Sequence, residues 1–352
     1  MMLPIKSYRY DKIVLTAILL LVFVSHSVFV TNSNASNNLA AAPFNYTETK
    51  VLMPDEWQTK PITYNDAVKN VDLVISLGQQ THPALQSFVQ EYAKKNNLKI
   101  VVQKGTCGVT AGKLRKKLID MGAYCCPVAA SDRLPSLQIH TIGIAPISLL
   151  THPSNPLSDI SSEDARKVYQ GNYSRWSQLP HRGKKLSDHA IQPVVRLHCK
   201  KRPGHWRILL KNEDLFSPRI FEVGVVPDMI KQVAINPNAI GYETVYMLQV
   251  HKKNGKLKML SINGLKPTDL DSAAVGKYPI YRTYSLTTWK NDIKEQQVIT
   301  LIRAIEKHVE QNSENLGIVP VATLRENGWR FHGDELIAEP DGKSLANTTP
   351  NY

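Results

Sequence analysis

The chain has 352 residues, 21% charged and 42% apolar, with 43 Lys and Arg against 30 Asp and Glu and a formal net charge of +13. That length suffices for two lobes with real cores, and the composition is that of a globular protein rather than a disordered or collagen-like one. The positive balance favours an anionic ligand or surface. The basic residues are scattered, without the aromatic interleaving of an RNA-binding face, so a small anion is expected and nucleic acid is not.

The N-terminus reads as an export signal. Lys6, Arg9 and Lys12 precede an apolar core from Ile13 to Val24, and Ser33-Asn34-Ala35 fits a cleavage site before Ser36. The apolar run stops at Ser25-His26-Ser27 and is short for a spanning helix. The expected organisation is a signal peptide over 1–35 and a linker over 36–69, followed by an ordered body and a polar tail over 335–352. The expected location is the periplasm. Cys107, Cys125, Cys126 and Cys199 are the four cysteines. An even count in an exported chain makes all four disulfide candidates, with three possible connectivities. Adjacent Cys125 and Cys126 pair with each other only through a strained ring, which favours distant partners.

Order is expected from Val71. Leu73-Val74-Ile75 reads as a buried strand, Gly78-Gln79-Gln80-Thr81 as a loop, and Ala84, Leu85, Phe88, Val89, Tyr92 and Ala93 as the apolar face of a helix starting near Pro83. A second strand is expected over Leu98 to Gln103. The loop from Lys104 to Thr110 and a helix with Leu114, Leu118 and Met121 on one face follow, then an extended segment from Tyr124 to Val128. Ile142 to Leu150 is an apolar strand ending in the turn His152-Pro153-Ser154-Asn155-Pro156. Ser161 is an N-cap, Glu163 and Asp164 face the positive end of the helix dipole, and Gly171 fits the left-handed closing position. Ile191 to Leu197 is a strand leading into His198-Cys199-Lys200-Lys201-Arg202-Pro203-Gly204-His205-Trp206, with a helix from Trp206. Asn236 to Tyr242 is a turn feeding a strand. Val298, Ile299, Ile302, Ile305 and Val309 mark an amphipathic helix. Strands alternating with helices predict an α/β fold.

Two strand-to-helix loops stand out. Gly78–Thr81 and Gly105–Gly112 combine small residues, which allow close backbone approach, with the free N–H groups of helix starts, which attract anions. Gln80, Thr81, Thr106, Cys107, Gly108, Val109 and Thr110 are the candidate ligand residues there. A resemblance to a known family of binding proteins adds Arg196 on the strand and Arg202, Gly204 and His205 on the loop after it, with Arg196 and Arg202 neutralising charge.

In order and content these segments resemble the phosphate-specific periplasmic binding proteins. The match includes the run from Ile142 to Leu179, Val194-Val195-Arg196, Asn238-Ala239-Ile240-Gly241-Tyr242, Tyr278-Pro279-Ile280-Tyr281-Arg282 and Gly317-Ile318-Val319-Pro320. The resemblance implies a two-lobed type II periplasmic binding fold, with about 70–147 and 251–334 in lobe one and 148–250 in lobe two. It also implies that an anionic solute is captured between the lobes, without catalysis or a cofactor, by a monomer that serves an inner-membrane ABC permease. The departures fall at the ligand: Cys107 stands where the family has a serine, and Lys201-Arg202-Pro203-Gly204-His205-Trp206 replaces a Ser-Gly-Thr loop. The implied ligand is phosphate or a phosphate-like oxyanion. Two other classes stay open. One is a metal- or redox-responsive sensor using Cys107, Cys125, Cys126, Cys199 and His205. The other is a thiol-dependent enzyme with Cys107 as nucleophile and His205 as base.

Overall fold

The computed structural model describes residues 44, 46–65, 68, 70–180, 185–197, 209–210 and 213–340. The expected signal peptide, the segment from His198 to Trp206 with the helix after it, and the last residues of the tail lie outside these. Among the described residues no helix is long and apolar enough to cross a membrane.

After a short helix α1 (Asp55–Thr59), the chain alternates strand and helix: β1 (Leu73–Leu77), α2 (Thr81–Lys95), β2 (Ile100–Lys104), α3 (Cys107–Arg115) and β3 (Met121–Tyr124). The long strand β4 (Leu137–Thr151) follows, then β5 (Asp159–Ile160), α4 (Ser162–Gln170), β6 (Gln192–Val195), β7 (Phe221–Glu222), α5 (Val226–Ile235), β8 (Ala239–Thr244), α6 (Val245–Val250) and β9 (Lys258–Ile262). The chain closes with α7 (Leu270–Ala274), β10 (Tyr281–Trp289), α8 (Glu295–Gln311), α9 (Ser313–Leu316), β11 (Val319–Pro320), α10 (Val321–Glu326) and the hairpin β12 (Arg330–His332) to β13 (Glu335–Ala338).

The main path through the sheet is β2-β1-β3-β10-β4-β8-β6-β7. Strands β1, β2 and β3 are parallel, so their C-terminal ends open on one side. Strand β4 belongs to both halves: Leu137–Pro146 pair antiparallel with β10, and Ile147–Thr151 pair with β8. Its residues are buried almost without a break, which is why it reads as one apolar run with no alternation. Ile142 and Ala145 pack into the core around β1–β3, and Ile144, Ile147, Leu149 and Leu150 into the core around β6 and β8. Strand β9 joins the second half, pairing with β4 at Leu149–Thr151 and with β5.

Local chemistry explains several boundaries. The Ser161 side chain accepts from the Asp164 N–H at 2.9 Å, and Gly171 closes α4 at φ +86°. These are the cap and the stop expected from sequence. Helix α8 buries Val298, Leu301, Ile302, Ile305 and Val309 on one stripe. Helix α3 is shorter than its periodicity suggests. It ends at Arg115; Lys117 takes φ +53°, Leu118 lies in the turn, and Met121 opens β3 against Ile75. The Asp120 carboxylate accepts the Val74 N–H at 2.6 Å and holds the chain against β1. A turn followed by a strand can thus place apolar residues at the spacing of one helix face. The extended segment expected from Tyr124 to Val128 also ends early, because the chain bends at Cys125–Cys126.

Candidate functional site

The C-terminal ends of β1, β2 and β3 carry Gly78–Gln80, Gly105–Cys107 and Cys125–Cys126, the crevice side at which open α/β sheets hold ligands. Thr106 is the N-cap of α3, its hydroxyl accepting from the Val109 N–H at 3.2 Å. The Thr110 N–H bonds to the Thr106 carbonyl. The Cys107 and Gly108 N–H groups are therefore the ones this helix start can offer outward. Gly108 and Val109 are exposed at the first turn. The Thr110 hydroxyl is committed to Ser76 Oγ at 2.9 Å inside the fold. Thr81 is buried, with its hydroxyl 3.4 Å from the Gly78 carbonyl. Gly122 makes room for α3: a Cβ there would meet Thr110 Cγ2 at 2.7 Å and Leu114 Cδ1 at 2.8 Å.

The second group comes from β6, β8 and β10. Glu243, near the end of β8, is fully buried. Its Oε2 lies 2.9 Å from Arg196 Nη2 and its Oε1 3.7 Å from Arg282 Nη2, with all three side chains inaccessible to solvent. Gln80 Nε2 and the Thr244 N–H both donate to Glu243 Oε1 at 2.8 Å. Gln80 Oε1 accepts from the Thr244 hydroxyl at 3.1 Å and the Tyr284 hydroxyl at 3.4 Å. Gln80, expected as a ligand residue, is thus a bracket joining the β1 loop to β8. Arg196 Nη1 reaches Gln79 Oε1 at 3.4 Å, and the Arg196 N–H donates to the Tyr242 hydroxyl at 3.1 Å. Burial pushes the Tyr242 hydroxyl up to about 12, so it stays protonated.

Two guanidinium groups face one carboxylate, Glu243, and the Cys125 thiol lies within their electrostatic reach. The Arg196 contact to Glu243 is an ion pair without hydrogen-bond geometry. Arg196 Nε and Nη2, both buried, have no hydrogen-bond partner among the described residues. A buried charged donor with unused N–H groups is costly unless a further acceptor is supplied.

The thiols complete the site. Cys107 Sγ lies 3.4 Å from Cys125 Sγ and 3.8 Å from Cys126 Sγ, and all three are buried thiols. Disulfide stapling is not seen among these three. Hydrogen bonds from Cys107 and Cys126, with the charges of Arg282 and Arg196, hold the Cys125 thiol well below its ordinary value. The same sulfur contacts, with burial, push Cys107 and Cys126 up. Arg282 Nη1 donates to the Cys125 carbonyl at 3.4 Å and ties the thiol loop to the charge network.

The structure thus brings together Gln80, Thr81, Thr106, Cys107, Thr110 and Arg196 from the expected set, with Gly108 and Val109 on the rim. Arg202, Gly204, His205 and Cys199 lie outside the described residues. Sequence reasoning missed Glu243 and Arg282. The available clue was a charged residue inside each of two otherwise uncharged strands, AIGYET and YRTYSLTTW, where burial demands a partner.

Comparison with known proteins agrees with this geometry. The PBP superfamily domain matches residues 65–296. The chain is 23% identical over 218 residues to the phosphate-binding protein PstS of Bacillus subtilis (strain 168), a match that spans 59% of this chain and 67% of that one. Among solved structures it resembles an ABC-type phosphate transport receptor from Vibrio cholerae at 16% identity, TM-score 0.57, covering 70% of this chain and 99% of that chain. It also resembles a putative phosphate ABC transporter substrate-binding protein with bound phosphate from Clostridium perfringens at 15% identity, TM-score 0.60, covering 71% and 99%. At such identities the structural likeness speaks for the fold, and the domain match over most of the chain speaks for the family. The strand exchange through β4 and these matches together establish that the chain belongs to the PBP superfamily, with the two-lobed type II periplasmic binding protein fold.

Proposed function

We propose that this protein is a non-catalytic solute-binding protein that captures a small oxyanion, phosphate or a close analogue of it, between its two lobes. The observation that carries the reading is the buried Arg196 guanidinium, clustered with Glu243 and Arg282, whose Nε has no hydrogen-bond partner among the described residues. An oxyanion supplies the missing acceptor. It takes the Arg196 donors on one side and the Cys107 and Gly108 N–H groups on the other. Arg202, Gly204 and His205, the further ligand residues expected from sequence, lie outside the described residues and remain part of the proposal. The relatives support this reading, since their names describe phosphate binding and phosphate transport.

Because Arg196 is buried, ligand access requires the lobes to part, and β4 is the natural hinge strand. Lobe one takes about 70–147 with most of the C-terminal part, and lobe two about 148–250. The pairing of β9 with β4 and β5 favours moving Lys258–Ile262 to lobe two. Export to the periplasm and delivery to an ABC permease, by a monomer, belong to the same reading.

The test is calorimetry and thermal unfolding of metal-free protein with phosphate, sulfate, arsenate, molybdate and small carboxylates. Binding to the folded state alone stabilises by about 2.7 kcal/mol at a hundredfold excess over Kd. The expected result is saturable stabilisation by a tetrahedral oxyanion. No binding of any of these anions would overturn the proposal.

A further inference from the structure

The three thiols do not follow from oxyanion capture. A thiol is a poor donor to an anion, and three together contribute little to such a site. Their arrangement is nonetheless specific. In extended backbone, neighbouring side chains point to opposite faces. Here the chain leaves β3 at Tyr124 and bends at Cys125–Cys126, so that both sulfurs come within 3.4 and 3.8 Å of Cys107 Sγ. The three sulfurs all lie within 4.8 Å of one another. Cys107 is placed as the first residue of α3 by the Thr106 cap, and Gly78 lets the β1 loop lie close, its Cβ direction ending 3.7 Å from Cys125 Sγ. Two loops, after β2 and after β3, therefore present one sulfur triangle, with the β1 loop packed beside it.

A trigonal site with metal–sulfur bonds of about 2.3 Å has its sulfurs roughly 4 Å apart. The observed spacing is close to that without any backbone movement. A disulfide would use two of the sulfurs and leave the third with no role. Soft thiolate donors select soft ions, monovalent copper foremost, and three-coordination suits that ion better than zinc, which takes four ligands in closed sites. The surroundings supply the counter-charge: Arg282 and Arg196 act electrostatically on Cys125, and together they outnumber the single Glu243 carboxylate. The geometry points to a buried three-thiolate site, Cys107, Cys125 and Cys126, that binds one soft thiophilic metal ion of the Cu(I) class. Binding takes all three sulfurs as thiolates and releases to solvent the protons they still carry, with no change in oxidation state. The site lies wholly in the first lobe, so it does not rest on oxyanion capture.

The experiment uses the full chain, reduced, metal-free and kept without oxygen, titrated with Cu(I) against a competing Cu(I) chelator. One equivalent is expected to bind, with an ultraviolet thiolate-to-copper charge-transfer band. X-ray absorption is expected to show three sulfurs at about 2.3 Å. Cys199→Ser should keep the binding. Cys125→Ser should lose more than about 100-fold in affinity, beyond what loss of a group supporting a ligand costs. Far-ultraviolet circular dichroism confirms that the variants fold, and the absorption spectrum of the unaltered protein decides the matter if they do not. Failure of the reduced protein to take up one equivalent would overturn the proposal. So would a shell dominated by nitrogen or oxygen, or unchanged affinity in folded Cys125→Ser. Oxyanion binding is measured on metal-free protein, so each reading can fail while the other stands.

Discussion

Glu243→Gln removes one negative charge and almost no volume from the centre of the molecule. The carboxylate lies 2.9 Å from one guanidinium and 3.7 Å from another, all three side chains fully buried. At an effective dielectric near 20, each contact corresponds to roughly 5 kcal/mol of Coulomb attraction before desolvation is counted. Breaking a buried pair on one side costs about 3–5 kcal/mol, because the partner charge is left uncompensated. The glutamine keeps an oxygen for the Gln80 amide and the Thr244 N–H, so packing and neutral hydrogen bonds are largely preserved and the loss is electrostatic. With a shift of about 2–4 °C per kcal/mol for a domain of this size class, the melting temperature should fall by on the order of 10 °C in buffer free of oxyanions. Phosphate should then stabilise the variant by more degrees than it stabilises the original protein, since the anion supplies the negative charge that was removed. The assay is thermal unfolding by circular dichroism, with and without phosphate. A variant melting within about 2 °C of the original, on that same scale, would refute the claim that Glu243 balances buried charge.

Two further predictions concern the edges of this site. Thr106→Ala removes the hydroxyl that caps α3 and should cost about 1 kcal/mol in denaturant unfolding, while freeing the Val109 N–H and loosening the anchor of Cys107. Asp334 tests pH dependence. Burial pushes its carboxyl up, but hydrogen bonds from His140 at 2.8 Å and Arg303 at 2.7 Å outweigh burial and hold it below its ordinary value of 3.8. A carboxyl depressed in the folded state adds stability above its unfolded value and loses it as pH falls through the folded one. Stability should therefore drop below about pH 4. Asp334→Asn should flatten that decline and cost about 1 kcal/mol near neutrality, a modest figure because Arg303 is half exposed.

Local sequence determined more of the scaffold than of the site. The cap at Ser161, the left-handed Gly171, the buried strand from Ile142 to Leu150 and the apolar stripe of α8 were all readable, because each rests on chemistry within a few residues. The same locality misread the end of α3, where Leu118 and Met121 keep helical spacing on a turn and a strand. The loops at Gly78–Thr81 and Gly105–Thr110 could be named as helix starts, but not what their side chains do. Gln80 looked like a ligand residue and is bound to Glu243, 163 positions away. Only the tertiary structure decided that Glu243 lies between Arg196 and Arg282, and that Cys107 meets Cys125 and Cys126. Those contacts arise where separate strands end on the same side of one sheet, and pairing between distant strands leaves no periodic trace in the chain. The physical reason is that caps, turns and amphipathic faces are satisfied by near neighbours in sequence. A buried charge or thiol is satisfied by whatever the folded topology brings to it.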